Sequence, residues 1–305
     1  MSRVILVTGA TGQQGGAVIN ALLNESNQNF TILAVTRDTT SGSSQKLAAK
    51  SSSIKLVQGN LDDVPGIFAA AKEVVKEPIW GAYSVQISMG KGVTFDGEIT
   101  QGKAMIDESI KNNVKHFVYS SVDRGGDEKS WDNETPIPHF QTKYQIDRYL
   151  RDTAGSMGWT ILRPVAFMDN LQPGFPTKVF MAALSNNLGE KPLQWIATKD
   201  IGIFAAKAFA NPEKYNKQAV SLAGDNLTVE GLTEAFGKAT GAPVVPTYGI
   251  LGSVLTTMVG EMGTMVRWFG SDGYGADTNK LKTMHPGLLN MESWIKEESK
   301  FPKAS

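Results

Sequence analysis

Gly9, Gly12 and Gly15 follow a short apolar run and open directly into a segment that carries Ala17, Val18 and Ala21 on one face, VILVTGATGQQGGAV. Three glycines at this spacing serve to hold a diphosphate. The first permits a tight reversal, the second lets backbone N–H groups approach the phosphates, and the third lets a helix pack close to the strand before it. The N–H groups and the positive dipole end at the helix start supply the anion site. Thr11 lies within this turn, and the amides of Gln13 and Gln14 stand where they could reach phosphate or ribose oxygens. A glycine-rich turn with no ligand is the plainer alternative. The context favours a dinucleotide, because a strand precedes the turn, a helix follows it and a second strand is expected by residue 36.

That second strand ends LAVTRD and places Arg37 twenty-five residues after Gly12. An acidic residue there would bind the ribose hydroxyls of NAD, whereas a guanidinium offers a planar fork to the 2′-phosphate of NADP. Arg37 therefore favours NADP(H), and Asp38 beside it keeps NAD(H) open. A solvated loop charge is the bland reading of Arg37. After the third strand comes GNLDD, where Asn60 or Leu61 could edge the adenine; alternatively Asn60 and Asp62 cap the next helix.

Positioning these residues requires a regular scaffold, and the first two thirds of the chain read as one. Strand candidates are Val4–Val7, Thr31–Thr36, Ile54–Val57, Ala82–Ile87, His116–Ser120 and Thr160–Leu162. Helical candidates Gln13–Leu23, Pro65–Lys76, Gly97–Asn112 and His139–Gly155 lie between them. Such alternation predicts an α/β fold, a Rossmann-type doubly wound and mostly parallel sheet. Runs such as VILV and FVYS lack polar alternation, as strands covered on both faces do. Residues 1–163 are expected to form the NAD(P)-binding core. Residues 164–305 are expected partly to complete it and partly to form a smaller C-terminal α/β lobe for substrate or partner. SGSSQ and KSSS read as short low-complexity tracts.

Composition narrows the chemistry further. Hydrophobic residues make up 41% and charged residues 20% of the 305, ordinary for a globular chain. Thirty basic residues balance thirty acidic ones, which provides no field for direct nucleic-acid capture. Cysteine is absent, so thiolate nucleophiles, disulfides and Cys-ligated metals are excluded. The three histidines, His116, His139 and His285, have no metal-ligand spacing. The uncharged tract Val244–Gly260 is shorter than a membrane span and is broken by Pro246 and glycines. No membrane association is expected.

The segments TGATGQQG, GNLDD, VYSSVD, HFQTKYQIDRYLR and WTILRPVAFMDN, in that order, resemble the NmrA-like family, an atypical branch of the short-chain dehydrogenase superfamily. WIATKDIGIFAAKAF, VSLAGDNLTVEGL and HPGLLNMESWI extend the likeness over essentially the whole chain. The resemblance implies NAD(P) on a Rossmann core. It also implies either a sensor of nicotinamide redox state with a regulatory protein partner, or a reductase of carbonyl or quinone substrates. Dehydrogenases of the superfamily use a Ser, a Tyr that donates a proton as hydride arrives, and a Lys four residues later. Here the serine corresponds to Ser120 or Ser121, the tyrosine position falls on Lys143 and the lysine position on Asp147. Tyr144 with Arg148 is the same pair one residue out of frame, about 100° around a helix.

Lys143 is thereby implied as a cofactor ligand and as the candidate catalytic residue, binding ribose hydroxyls or, if desolvated, donating a proton. Asp147, one turn on, is expected to pair with it, and an exposed Lys–Asp pair is the plain alternative. In AFMDN, Phe167 and Asn170 are implied on the nicotinamide or substrate side, although core packing explains Phe167 and Met168 equally well. The stretch containing Met258, Met262, Met265, Trp268 and Phe269 suits a cleft lining or, more simply, the core of the second lobe. With the standard tyrosine absent, the expectation is an NADP(H)-binding regulatory protein, a redox sensor in the cytoplasm and also the nucleus. The alternative is an NADPH-dependent reductase of a quinone or small carbonyl compound.

Overall fold

The computed structural model describes residues 2–303 other than 27, 91 and 259. In chain order its elements begin with β1 (Arg3–Val7), α1 (Gln13–Leu23), β2 (Phe30–Thr36), α2 (Gly42–Ala48), β3 (Ile54–Gln58), α3 (Val64–Val74), β4 (Ile79–Ser84), α4 (Phe95–Lys111) and β5 (His116–Ser120). Next come α5 (Pro138–Thr153), β6 (Gly158–Pro164), β7 (Ala166–Phe167), α6 (Phe175–Leu188), β8 (Leu193–Ile196), α7 (Thr198–Ala210), α8 (Pro212–Tyr215) and β9 (Gln218–Leu222). The remainder are β10 (Asp225–Leu227), α9 (Val229–Thr240), α10 (Gly249–Met258), α11 (Gly260–Ser271), α12 (Thr278–Met284) and α13 (Met291–Glu297).

Seven strands form the main sheet in the order β3-β2-β1-β4-β5-β6-β9. The pairs β1–β2, β2–β3, β1–β4, β4–β5 and β5–β6 are all parallel. This is the Rossmann-type doubly wound arrangement expected from the alternation. Its strand order reverses between β1 and β4, and ligands of such sheets bind outside the carboxyl ends of the strands at that point. Val4 to Val7 and the whole of β5 are buried, as strands covered on both faces must be.

Two local expectations are corrected. The fourth strand runs over Ile79–Ser84 rather than Ala82–Ile87. Val85 leaves the ladder because its N–H donates to the Thr8 hydroxyl (2.9 Å). The SGSSQ tract, read only as low-complexity, is the start of the unexpected helix α2, where the Ser41 side chain accepts the N–H of Ser44 (3.3 Å) and caps the helix.

The chain divides into two compact units. Unit 1 comprises Met1–Ser121, Thr142–Arg163 and Ile201–Val220. Unit 2 comprises Val122–Gln141, Pro164–Asp200 and Ser221–Ser305. The segment Val122–Gln141, which lies within the 1–163 stretch, thus packs with unit 2. Unit 2 holds a small sheet in the order β10-β8-β7 and a core that includes Trp195, Phe236, Trp268 and Trp294. Helix α11 contributes Val266, Trp268 and Phe269 to that core, with Met262 and Met265 packed against it. On α10, by contrast, Ile250 and Val254 are exposed. Val259 and the side chain of Met258 lie outside the described residues. Among the described residues no single helix is long and apolar enough to cross a membrane.

Unit 1 buries a histidine whose titration is linked to folding. His116 Nε2 lies 2.9 Å from Thr160 Oγ1, which donates its own hydrogen to the Tyr215 carbonyl (2.9 Å). The hydroxyl must therefore accept from Nε2–H. Burial, reinforced by the Arg3 charge, pushes the His116 pKa down to about 4. The unfolded chain takes up this proton near pH 6.5 and the folded chain does not. The associated stability is therefore complete above pH 6.5 and lost as pH falls toward 4, at a cost of about 3 kcal/mol. Urea titrations should show the wild-type advantage over His116→Gln shrinking by about that amount between pH 7 and pH 4. A pH-independent difference would refute this linkage.

Candidate functional site

Unit 1 builds its site from the turn between β1 and α1. The Gly12 N–H donates to the Gly9 carbonyl (2.9 Å), closing the reversal. A Cβ on Gly15 would stand 2.3 Å from the Gly9 carbonyl oxygen and 2.7 Å from that of Thr8. No side chain fits there, so α1 starts directly against the end of its strand. Gly12 is the N-cap and contributes no side chain to the helix N–H groups, and the first turn carries no acidic residue. Thr11, Gly12 and Gln13 are exposed at this helix start. Exposed N–H groups, the positive dipole end and the absence of a competing carboxylate fit a diphosphate.

Gln14 departs from expectation. Its Oε1 accepts from the Tyr83 hydroxyl (3.3 Å) and from Ser120 Oγ (2.5 Å). The amide turns inward and ties α1 to the carboxyl ends of β4 and β5. Burial pushes the Tyr83 phenol well above its ordinary range, partly offset by the hydrogen bond to Ser120. Tyr83 therefore serves as a hydrogen-bonding fixture, and Ser120 is engaged in the same cluster.

Arg37 follows β2 directly, is exposed, and forms no ion pair among the described residues. The adjacent Asp38 is occupied by its own loop. Its Oδ1 accepts from the Thr40 hydroxyl (2.6 Å) and N–H (2.8 Å), which holds the carboxyl below its usual range. Asn60 is exposed after β3 and donates to Asp62 Oδ2 (2.8 Å), while Leu61 is half-buried. Helix α3 is capped by Asp63, whose Oδ1 accepts the Gly66 N–H (3.0 Å), not by Asn60 or Asp62.

On α5, Lys143 does not pair with Asp147. Its Nζ lies 2.8 Å from Glu98 Oε1 on α4, with the Lys143 side chain 10% and the Glu98 side chain 1% exposed. Asp147 Oδ2 instead receives Arg163 Nε (3.1 Å) in an ion pair with no solvent exposure. The two residues share a helix face, but the deeper carboxylate meets the arginine of β6, while the lysine stem reaches across to α4. Tyr144 points elsewhere: its hydroxyl accepts from Arg148 Nη1 (2.9 Å), whose guanidinium lies over the ring.

Sequence reasoning missed Glu98. It also accepts from Thr142 Oγ1 (2.8 Å) through Oε2 and from Ser88 Oγ (2.8 Å) through Oε1. A signal was available, because Glu98 is in helical register with Gly102, Met105, Ile106 and Ser109, the buried stripe of α4. A carboxylate on such a stripe requires a buried cation or several donors.

Phe167 and Asn170 belong to unit 2. Phe167 is half-buried and pairs in parallel with Ile196 at the end of β7. Asn170 is exposed, and Met168 between them is fully buried in the unit 2 core.

Among curated relatives, an NmrA-like family domain-containing oxidoreductase of Penicillium ochrochloron is 26% identical over 274 residues, covering 81% of this chain and 77% of that protein. Two solved structures share the fold. The triphenylmethane reductase of Citrobacter sp., complexed with NADP(H), is 18% identical with a TM-score of 0.69 and covers 97% of this chain and 99% of its own. The NADPH-dependent quinone oxidoreductase of Escherichia coli, complexed with NADPH, is 17% identical with a TM-score of 0.69 and covers 96% of this chain and 98% of its own. The model of the NmrA-like family matches residues 1–297, and the chain belongs to that family.

Proposed function

We propose that this protein is an NADP(H)-dependent reductase of an apolar acceptor such as a quinone or small carbonyl compound. The single observation that carries this reading is the nearly buried Lys143 ammonium, oriented by Glu98 at 2.8 Å with two of its three donors left for ligands. The relatives with NmrA-like oxidoreductase names, and the reductase folds complexed with NADP(H), support the same reading. When bound, NADPH supplies a hydride. Gly9, Thr11, Gly12, Gln13 and Gly15 would hold its diphosphate, Arg37 its 2′-phosphate, and Asn60 and Leu61 its adenine. Gln14 would act from behind, fixing α1 against β4 and β5. Lys143 would bind the nicotinamide ribose and steady the acceptor oxygen as charge develops there. Phe167 and Asn170 remain proposed contacts on the substrate side.

A second reading keeps the cofactor and drops the turnover: a redox sensor with a regulatory protein partner, in the nucleus as well as the cytoplasm. One observation favours it, that the phenol nearest the expected position, Tyr144, is engaged by Arg148.

One measurement tests the cofactor assignment that both readings share, and a second separates them. Calorimetric titration should show NADPH binding about tenfold or more tighter than NADH, since a charge-assisted hydrogen bond contributes about 1.5–3 kcal/mol. Arg37→Asp should erase the difference, and equal wild-type affinities would refute the role of Arg37. For turnover, NADPH oxidation with a panel of quinones and aldehydes should be measurable, with kcat falling about 100-fold in Lys143→Met. A wild-type protein that binds NADPH yet turns over none of the panel supports the sensor.

A further inference from the structure

We propose that Glu98 is a positioning residue for the cofactor, acting through Lys143 and resting on the reading of Lys143 as a cofactor ligand. Glu98 sits one turn from the start of α4 and is 3% exposed. Its two oxygens take three donors, each at 2.8 Å: Ser88 Oγ and Lys143 Nζ on Oε1, and Thr142 Oγ1 on Oε2. Three bonds from three different side chains leave the carboxylate a single orientation. The ammonium of Lys143, on a long flexible stem, thereby acquires a fixed place that the lysine alone could not hold.

The surrounding packing keeps this bridge short. A Cβ on Gly102, one turn beyond Glu98, would stand 2.5 Å from Ile146 Cδ1. Ile146 lies one turn beyond Thr142 on α5, so the two helices meet closely where the bridge forms. Ser88 extends the arrangement to the segment after β4, whose Ile87 and Met89 are 62% and 59% exposed. One carboxylate thus fixes the lysine of α5 and anchors the chain leaving the carboxyl end of β4, on the side of the sheet where the ligand is expected.

The test is a double-mutant cycle on the whole protein, with Glu98→Gln and Lys143→Met read by NADPH affinity in calorimetry and by melting temperature. Glu98→Gln keeps the shape and the hydroxyl partners but removes the charge that orients the ammonium. It should weaken NADPH binding about tenfold in the wild-type background and less than about twofold when Lys143 is already methionine. An equal loss in both backgrounds assigns Glu98 a merely structural role and overturns the proposal. So does an unchanged affinity in Glu98→Gln where Lys143→Met weakens binding. If Lys143→Met itself binds NADPH as the wild type does, the reading of Lys143 falls and this inference with it. Should Glu98→Gln fail to fold, Thr142→Val and Ser88→Ala each remove one anchor. Each should weaken binding severalfold only when Lys143 is present.

Discussion

The seating of α1 against the end of β1 is the contact on which the proposed site depends. With the Gly15 backbone too close to the Gly9 and Thr8 carbonyls to admit even a methyl group, the first N–H groups of the helix are presented at the carboxyl edge of the sheet and not displaced from it. The same closeness brings Gln14 within reach of Tyr83 and Ser120, so the helix start is tied to the ends of β4 and β5. An anion site made of backbone can be only as rigid as the backbone that carries it. Here three strands supply that rigidity.

Charge burial on α5 follows a similar logic. Four residues apart, Lys143 and Asp147 could satisfy each other at the surface, where an ion pair contributes about 0–1 kcal/mol. Instead each has its own partner on another element, Glu98 and Arg163. Pairing across elements costs desolvation, and removing one member of a buried pair typically costs about 3–5 kcal/mol. What the cross-element arrangement adds is direction. Asp147 and Arg163 join α5 to β6, Glu98 and Lys143 join α5 to α4, and the helix is fixed both along its axis and about it. A lysine on a helix so fixed is placed more accurately than one held by its neighbour on the same helix.

Much of the fold was legible from the apolar runs, because a strand covered on both faces has no polar positions to confuse it. The bounds of β5 and α1, and the end of β1, follow from the apolar pattern alone. The misplacement of β4 came from VQI, apolar residues that read as strand until the Thr8 hydroxyl, seventy-seven residues away in sequence, takes the Val85 N–H. Helix α2 was hidden because serine is a poor helix former but a good cap. In the candidate site, the tight glycine turn and the exposed place of Arg37 after β2 were visible because both depend on local spacing. Glu98 was not sought, since its partner lies forty-five residues on, and the inward turn of Gln14 depends on two strands that the local motif does not contain.

In the proposed function, an ammonium standing where the dehydrogenases place a phenol changes what the site can do. A neutral phenol donates one proton and becomes an anion, which is why its usual companion is a nearby cation. An ammonium paired with Glu98 has its counter-charge already buried beside it, and in the proposed function its two other donors would divide between a ribose and an oxygen that gains charge. Such a group stabilises developing negative charge without having to part with its proton. Under the proposed function that would suit an acceptor whose reduced form is itself a stabilised anion, as a quinone's is, better than a simple alcohol product. On that reading, the chemistry proposed for Lys143 and the departure from the dehydrogenase pattern have one origin and not two.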